Sequence, residues 1–116
     1  MIKLTVLVKR NPALSIEEFH HEWRLHGQMI ADEPVFCRYI KRYEQHHRAL
    51  TDYRNGDTFD GMAIQWYERF ADFVELIGTP EYTAKMQPDE TRILDPSGLV
   101  ILFTEEAEVF IGEHGP

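Results

Sequence analysis

The sequence predicts an α+β sandwich in which two helices cover one face of a four-stranded sheet. Two observations carry this. Short β-branched and aliphatic runs alternate with longer segments whose apolar residues recur at helical spacing, and turn residues separate the two kinds of segment. Ile2, Leu4, Thr5, Val6, Leu7 and Val8 read as a short buried strand that stops at Lys9, Arg10 and the turn Asn11-Pro12. Ser15 stands three residues before Glu18, a capping box in which hydroxyl and carboxylate satisfy the free amides of a helix start, so a helix is predicted over 15–31. Its Ile16, Phe19, Trp23 and Ile30 form one apolar stripe, with His26 and Gly27 on or beside it.

From Phe36 to His47 the residues Tyr39, Ile40 and Tyr43 favour a second strand. Period two then places Cys37, Tyr39, Lys41, Tyr43, Gln45 and His47 on one face and Arg38, Arg42, Glu44 and His46 on the other. The polar segment 51–58, with its Asn55-Gly56 pair, reads as an exposed loop that joins this strand to a third over 59–68 in a long hairpin. Phe70, Phe73, Val74 and Ile77 have helical spacing, interrupted by Gly78 and Pro80, and a short helical piece over 81–86 follows. The turn Asp95-Pro96-Ser97-Gly98 precedes a fourth strand over 99–104. The resulting β-α-β-β-α-β order is the split βαβ arrangement of ferredoxin-like sandwiches. One sheet face is left needing cover, which a small acidic chain supplies most simply by pairing with its own copy, so a homodimer is expected. The tail 105–116 holds Val109, Phe110 and Ile111 between acidic residues and either docks on a partner subunit or frays.

Length and charge narrow the function. A chain of 116 residues, 43% apolar and 28% charged, fits a single domain over 1–116 with a modest pocket, which argues against a large cofactor-binding enzyme. A formal charge of −8 disfavours nucleic acid and anionic membrane surfaces, and no apolar run approaches the roughly 20 residues that span a bilayer. The single Cys37 excludes an internal disulfide and multi-thiolate metal sites, and charge and Pro12 follow the first strand too soon for a secretory signal. A cytoplasmic protein is expected. The pairs His20-His21 and His46-His47 do not make a chelating face, because neighbouring residues point to different sides of a helix or strand, and no metal is expected.

Several pieces taken in order resemble one family. They are the opening MIKLTVLVKR with Pro12; Ser15, Phe19, Trp23, Arg24 and His26; the run Arg42-Tyr43-Glu44-Gln45-His46-His47; Phe59-Asp60-Gly61 with Trp66-Tyr67; Glu81-Tyr82; and Asp89-Glu90 to Asp95. Together they look like the EthD family, named for ethyl tert-butyl ether degradation, a branch of the dimeric α/β-barrel proteins. The resemblance implies that fold and a pocket more than one reaction, since relatives accompany ether-degrading monooxygenases or resemble polyketide dehydratases and cyclases. Related methylmuconolactone methylisomerases carry a catalytic Cys where this chain has Gln65, which argues against thiol catalysis here.

Candidate chemistry centres on His26, an imidazole beside an apolar space, where burial favours the neutral form that removes a proton next to a carbonyl. The competing reading is a core imidazole bonded to a backbone carbonyl. His47, or His46 if the register slips by one residue, and Tyr43 would hold a substrate oxygen. Asp60 would orient an imidazole, unless Asp60-Gly61 merely ends the loop. Trp23, Tyr39, Trp66 and Phe19 are candidates to line the pocket, with core packing as the alternative. Without metal or nucleotide motifs, the expected activity is cofactor-independent dehydration, cyclisation or isomerisation of a hydrophobic carbonyl or phenolic compound about the size of a bicyclic aromatic. A cofactor-free oxygenase, a binding or accessory protein and, more distantly, a haem-binding protein are the other readings.

Overall fold

The structure, a computed structural model, describes residues 1–113 and builds one sheet in the order β2-β3-β1-β4. Strand β1 (Ile2–Val8) is central and pairs antiparallel with both β3 (Gly61–Tyr67) and β4 (Val100–Thr104), while β2 (Arg42–His47) pairs with β3. The registers sort the side chains by face. Leu4 lies opposite Gln65 and Phe103, Val6 opposite Ala63 and Ile101, and Tyr43 opposite Gln65. These residues, with Val8, Gln45, His47 and Tyr67, face the helices. The other face presents Thr5, Leu7, Met62, Ile64, Trp66, Val100 and Leu102, edged by Arg42, Glu44 and His46.

Helix α1 (Ile16–Asp32) starts where the sequence predicts. The Ser15 hydroxyl accepts from Glu18 N at 3.1 Å, and the Glu18 carboxylate accepts from Ser15 N at 2.9 Å. Phe19, Trp23 and Ile30 are buried along its sheet-facing stripe. α3 (Phe70–Ile77) agrees with the expected span and ends at Gly78.

Three expectations need correction. The second strand does not begin at Phe36. Residues Pro34–Tyr39 form helix α2, started by Pro34 and by the Glu33 carboxylate accepting from Val35 N. Phe36, Tyr39 and Ile40 have the i, i+3, i+4 spacing of a buried helix stripe, and this outweighs their strand propensity. Tyr39 and Cys37 therefore do not share a strand face with Tyr43. The segment read as loop contains a 3₁₀ helix over Leu50–Asn55. The helical piece expected over 81–86 is a π-helical turn, Tyr82–Met86, that runs on into α4 (Gln87–Ile93). Pro88 stands in the first turn of α4, where a proline is tolerated. Of the tail, Phe110 and Ile111 are exposed, the Met1 ammonium pairs with Glu106, and residues 114–116 lie outside the described residues.

Two apolar clusters fill the layer between sheet and helices. Leu4, Ile30, Phe36, Ile40, Tyr67, Leu76 and Met86 form one, and Val8, Phe19, Trp23, Ala63 and Ile93 the other. Phe36 is fully buried in the first, so Phe36→Ala is expected to cost about 3–5 kcal/mol. Urea unfolding checks this, with a lowered midpoint and an unchanged slope.

Candidate functional site

Where the two clusters meet they leave a cavity of about 140 Å³. Its walls are mostly apolar, from Leu4, Val6, Trp23, Ala63, Leu76 and Met86 among others. His26, Tyr43, Gln65, Tyr67, Tyr82 and Glu90 add polar groups. An engineered void of about 150 Å³ holds benzene, so this space fits a single ring. That is smaller than the bicyclic guest expected from sequence. Ile77 and Ile101, exposed at 40% and 57%, stand where the cavity meets solvent.

Each polar wall group has a defined role in hydrogen bonding. His26 reaches from α1 to α4, where its Nδ1 lies 2.9 Å from Asp89 Oδ2, and its side chain is 10% exposed. A carboxylate acceptor places a proton on Nδ1, and Nε2 has no hydrogen-bond partner among the described residues. Arg92 bonds the other Asp89 oxygen at 3.2 Å and Glu22 at 3.0 Å, so the orienting carboxylate is itself held. Tyr43 Oη accepts from Gln45 Nε2 at 2.9 Å, and its own proton has no acceptor among the described residues. Burial pushes its pKa up to about 12, which keeps it a donor. Gln65 Oε1 accepts from the Tyr67 hydroxyl, so the Gln65 amide N–H groups are left for the cavity. Glu90 is pushed above the usual carboxylate range by burial, while a bond from the Tyr82 hydroxyl at 3.3 Å acts the other way. Burial likewise raises Tyr82 to about 12.

A second polar system runs behind Tyr43. Gln45 Nε2 also donates to the Trp23 carbonyl at 2.7 Å, and Gln45 Oε1 lies 2.9 Å from His47 Nε2. The His47 and His20 Nδ1 atoms are 2.7 Å apart, His20 Nε2 is 2.9 Å from Tyr53 Oη, and Tyr53 donates to Asp60 Oδ1 at 2.7 Å. Asp60, with no exposed surface, also accepts from Arg10 N at 2.8 Å and Arg10 Nη1 at 3.0 Å. Gly27 makes the Gln45 contact possible, because a Cβ there would stand 2.7 Å from Gln45 Nε2. Gly61 likewise admits the Trp23 ring, which a Cβ would meet at 2.5 Å.

Of the residues singled out in the sequence, His26, Tyr43 and Trp23 line the cavity together. The register puts His47 on the helix-covered face and His46 on the outer face, bonded to Glu44 at 2.8 Å. His47 stands one residue behind the lining, its ring tilted against that of Trp23 with centroids 4.6 Å apart, and is joined to Tyr43 through Gln45. Asp60 reaches Tyr53 and Arg10, and it meets the imidazoles through the Tyr53 hydroxyl. Phe19 is core, stacked on Trp23 at 5.5 Å, and Tyr39 packs from α2 against the first cluster. Trp66 lies on the outer face between Lys3 and Arg42. Asp89, Glu90, Tyr82, His20 and Tyr53 were not singled out for chemistry. A carboxylate pair directly after Pro88 is the one local signal that α4 begins there.

Among the described residues no group of three or more His, Cys, Asp or Glu is placed to hold a metal ion, and no helix is long and apolar enough to cross a membrane. A comparison with curated proteins finds no match. Solved structures share the fold. A dimeric protein of unknown function and ferredoxin-like fold from Bacteroides fragilis superposes with a TM-score of 0.67 at 16% identity, covering 90% of this chain and 94% of that one. An ethyl tert-butyl ether degradation family protein from Bacillus halodurans gives 0.64 at 17% identity, covering 92% and 99%. A mutant of SnoaB, a cofactor-independent oxygenase from Streptomyces nogalater, gives 0.61 at 9% identity, covering 94% and 95%. The EthD domain model matches residues 11–97, most of the chain, and on that match the protein belongs to the EthD family.

Proposed function

We propose that the chain is a cofactor-independent acid–base enzyme for a ring-sized hydrophobic carbonyl or phenolic compound. The observation that carries this reading is the pairing of a free imidazole lone pair with free hydrogen-bond donors around one apolar cavity. His26, oriented by Asp89, is the general base for a C–H next to a carbonyl. The Tyr43 hydroxyl and the Gln65 amide donate to the oxygen that gathers charge as the proton leaves. Glu90, held toward its protonated form, returns a proton in dehydration, cyclisation or isomerisation. The same base acting on an activated phenol generates a carbanion open to dioxygen, a second reading favoured by the structural likeness to SnoaB. Oxygen uptake separates the two. Two copies stack through the outer sheet face, where Val100 and Leu102 are 47% and 59% exposed beside Leu7, Met62, Ile64 and Trp66.

The acid–base reading is tested by α-carbon deuterium exchange of a single-ring aryl ketone, followed by NMR in heavy water. His26→Gln should slow protein-catalysed exchange on the order of a hundredfold with an unchanged circular dichroism spectrum. Equal rates in the two proteins would remove His26 from the chemistry.

Glu90 gives a stability prediction with a defined sign. Its folded pKa is raised, so ionisation above the ordinary carboxylate range disfavours the fold, and that loss disappears once pH falls below about 4. Glu90→Gln should therefore melt higher than the parent at neutral pH, and the gap should close on acidification. The self-association is checked by light scattering: Leu102→Glu should halve the mass in solution, because two like charges would face each other across a dry contact.

A further inference from the structure

The part-buried chain between Tyr43 and Arg10 has a proton balance that its geometry dictates. At one end the Trp23 carbonyl can only accept, so the Gln45 amide nitrogen faces it and Gln45 Oε1 faces His47. An amide oxygen also only accepts, so His47 carries its proton on Nε2. At the other end, the Asp60 carboxylate is held by Arg10 and accepts the Tyr53 proton. Tyr53 Oη must then accept from His20, which places the His20 proton on Nε2 as well. Both ends thus assign the proton of a neutral imidazole to the outer nitrogen. Two Nδ1 lone pairs are left facing each other at 2.7 Å, a hydrogen-bond distance with no hydrogen to fill it.

We propose that His20 and His47 hold one extra proton between their Nδ1 atoms as an imidazole–imidazolium pair, and that this proton locks the chain that aims the Tyr43 hydroxyl into the cavity. With it, every contact from Trp23 O to Arg10 has one donor and one acceptor. Without it, the rings separate, Gln45 loses its anchor on His47, and Tyr43 loses the partner that sets its direction.

The charged surroundings of the pair act in both directions. Burial and the Arg24 cation push each ring toward neutrality, His47 down to about 4, and Arg10 acts the same way on His20. Asp60 and Glu17 favour a charge on His20. The facing lone pairs add what neither ring meets alone, so the pair titrates as a unit. A separate cavity of about 190 Å³ is lined by Glu17, His20, Arg24, His47, Arg48 and Leu50 and does not include Tyr43. Solvent loads the proton there without crossing the substrate space. His20, His47, Tyr53 and Asp60 are positioning residues in this scheme, which rests on the reading of Tyr43 as a donor to substrate for its functional half.

Long-range ¹H–¹⁵N correlation on the uniformly labelled chain, without any ligand, reads the protonation of each ring nitrogen. At about pH 6.5 the expected result is both Nε2 atoms protonated and one proton shared by the two Nδ1 atoms. Two unprotonated Nδ1 atoms at that pH would overturn the proposal. Tyr53→Phe removes one hydroxyl and with it the requirement that His20 protonate Nε2. The extra proton should then leave at neutral pH, one ring carrying an ordinary Nδ1–H toward the other. A loss of packing alone would not change that count, and an unchanged count in this variant also sinks the idea. In the ketone-exchange assay Tyr53→Phe should slow the wild-type chain about threefold to tenfold and add nothing in a Tyr43→Phe background. Equal slowing in both backgrounds would overturn the link to Tyr43. The proton count needs no substrate, so its failure and the failure of His26 as a base are read separately.

Discussion

The Gln45 amide is the contact on which the arrangement of the site depends. Its two N–H groups bind the Trp23 carbonyl of α1 and the Tyr43 hydroxyl of the same strand, and its oxygen faces His47. A single side chain thereby ties helix to sheet, leaves the Tyr43 proton for the cavity and sets the tautomer of an imidazole. A buried amide left half-satisfied costs about 1–3 kcal/mol, so the orientation is well determined. Gly27 is what permits the approach, one residue after the His26 that lines the same cavity.

Around this contact the apolar layer is divided. Toward α3 and α4 lies open space with isolated polar groups on its walls, and toward the 3₁₀ helix at Leu50–Asn55 lies a polar chain with no interruption. The two regions answer the cost of burying polar atoms differently. Asp60 accepts from three donors and sits fully buried beside Arg10, which gives a buried carboxyl both hydrogen bonds and a countercharge. Glu90 has the Tyr82 hydroxyl and no cation bonded to it among the described residues, and burial holds it toward its neutral form. The difference between the two carboxyls thus comes from their neighbours.

Strands β1, β3 and β4, helices α1 and α3 and the ferredoxin-like order were legible because they rest on local periodicity and, for α1, on a complete capping box, whereas only the second half of the span 36–47 is β2. The site was legible in part. His26 and Tyr43 fall on the apolar stripe and strand face that point inward, so spacing found them. Tyr39 did not follow, because Phe36, Tyr39 and Ile40 satisfy both a strand propensity and a helical stripe, and Pro34 with Glu33 decides for the helix. Asp89 and Glu90 were missed because the sequence pattern ends the helical piece at Met86, whereas the chain stays helical through Ile93. His20 and Tyr53 lie 33 residues apart, and no local pattern shows that a segment rich in turn residues folds a phenol beneath a helix.

The cavity itself constrains what reaction can occur there. A space of about 140 Å³ takes one ring, so a larger substrate must leave its remainder outside, past Ile77 and Ile101 where β4 and α3 meet solvent. The buried ring would then be fixed by shape and the outer part by whatever covers that opening. Proton transfer next to a carbonyl suits such a division, because it needs one base and one oxygen-binding group at fixed positions and tolerates variety elsewhere. His26, Tyr43 and Gln65 reach the cavity from α1, β2 and β3, while the stretch from Thr79 to Leu99 supplies Tyr82, Met86 and Glu90 to its walls and Asp89 to His26, so substitutions there would change the shape of the space and its polar groups together.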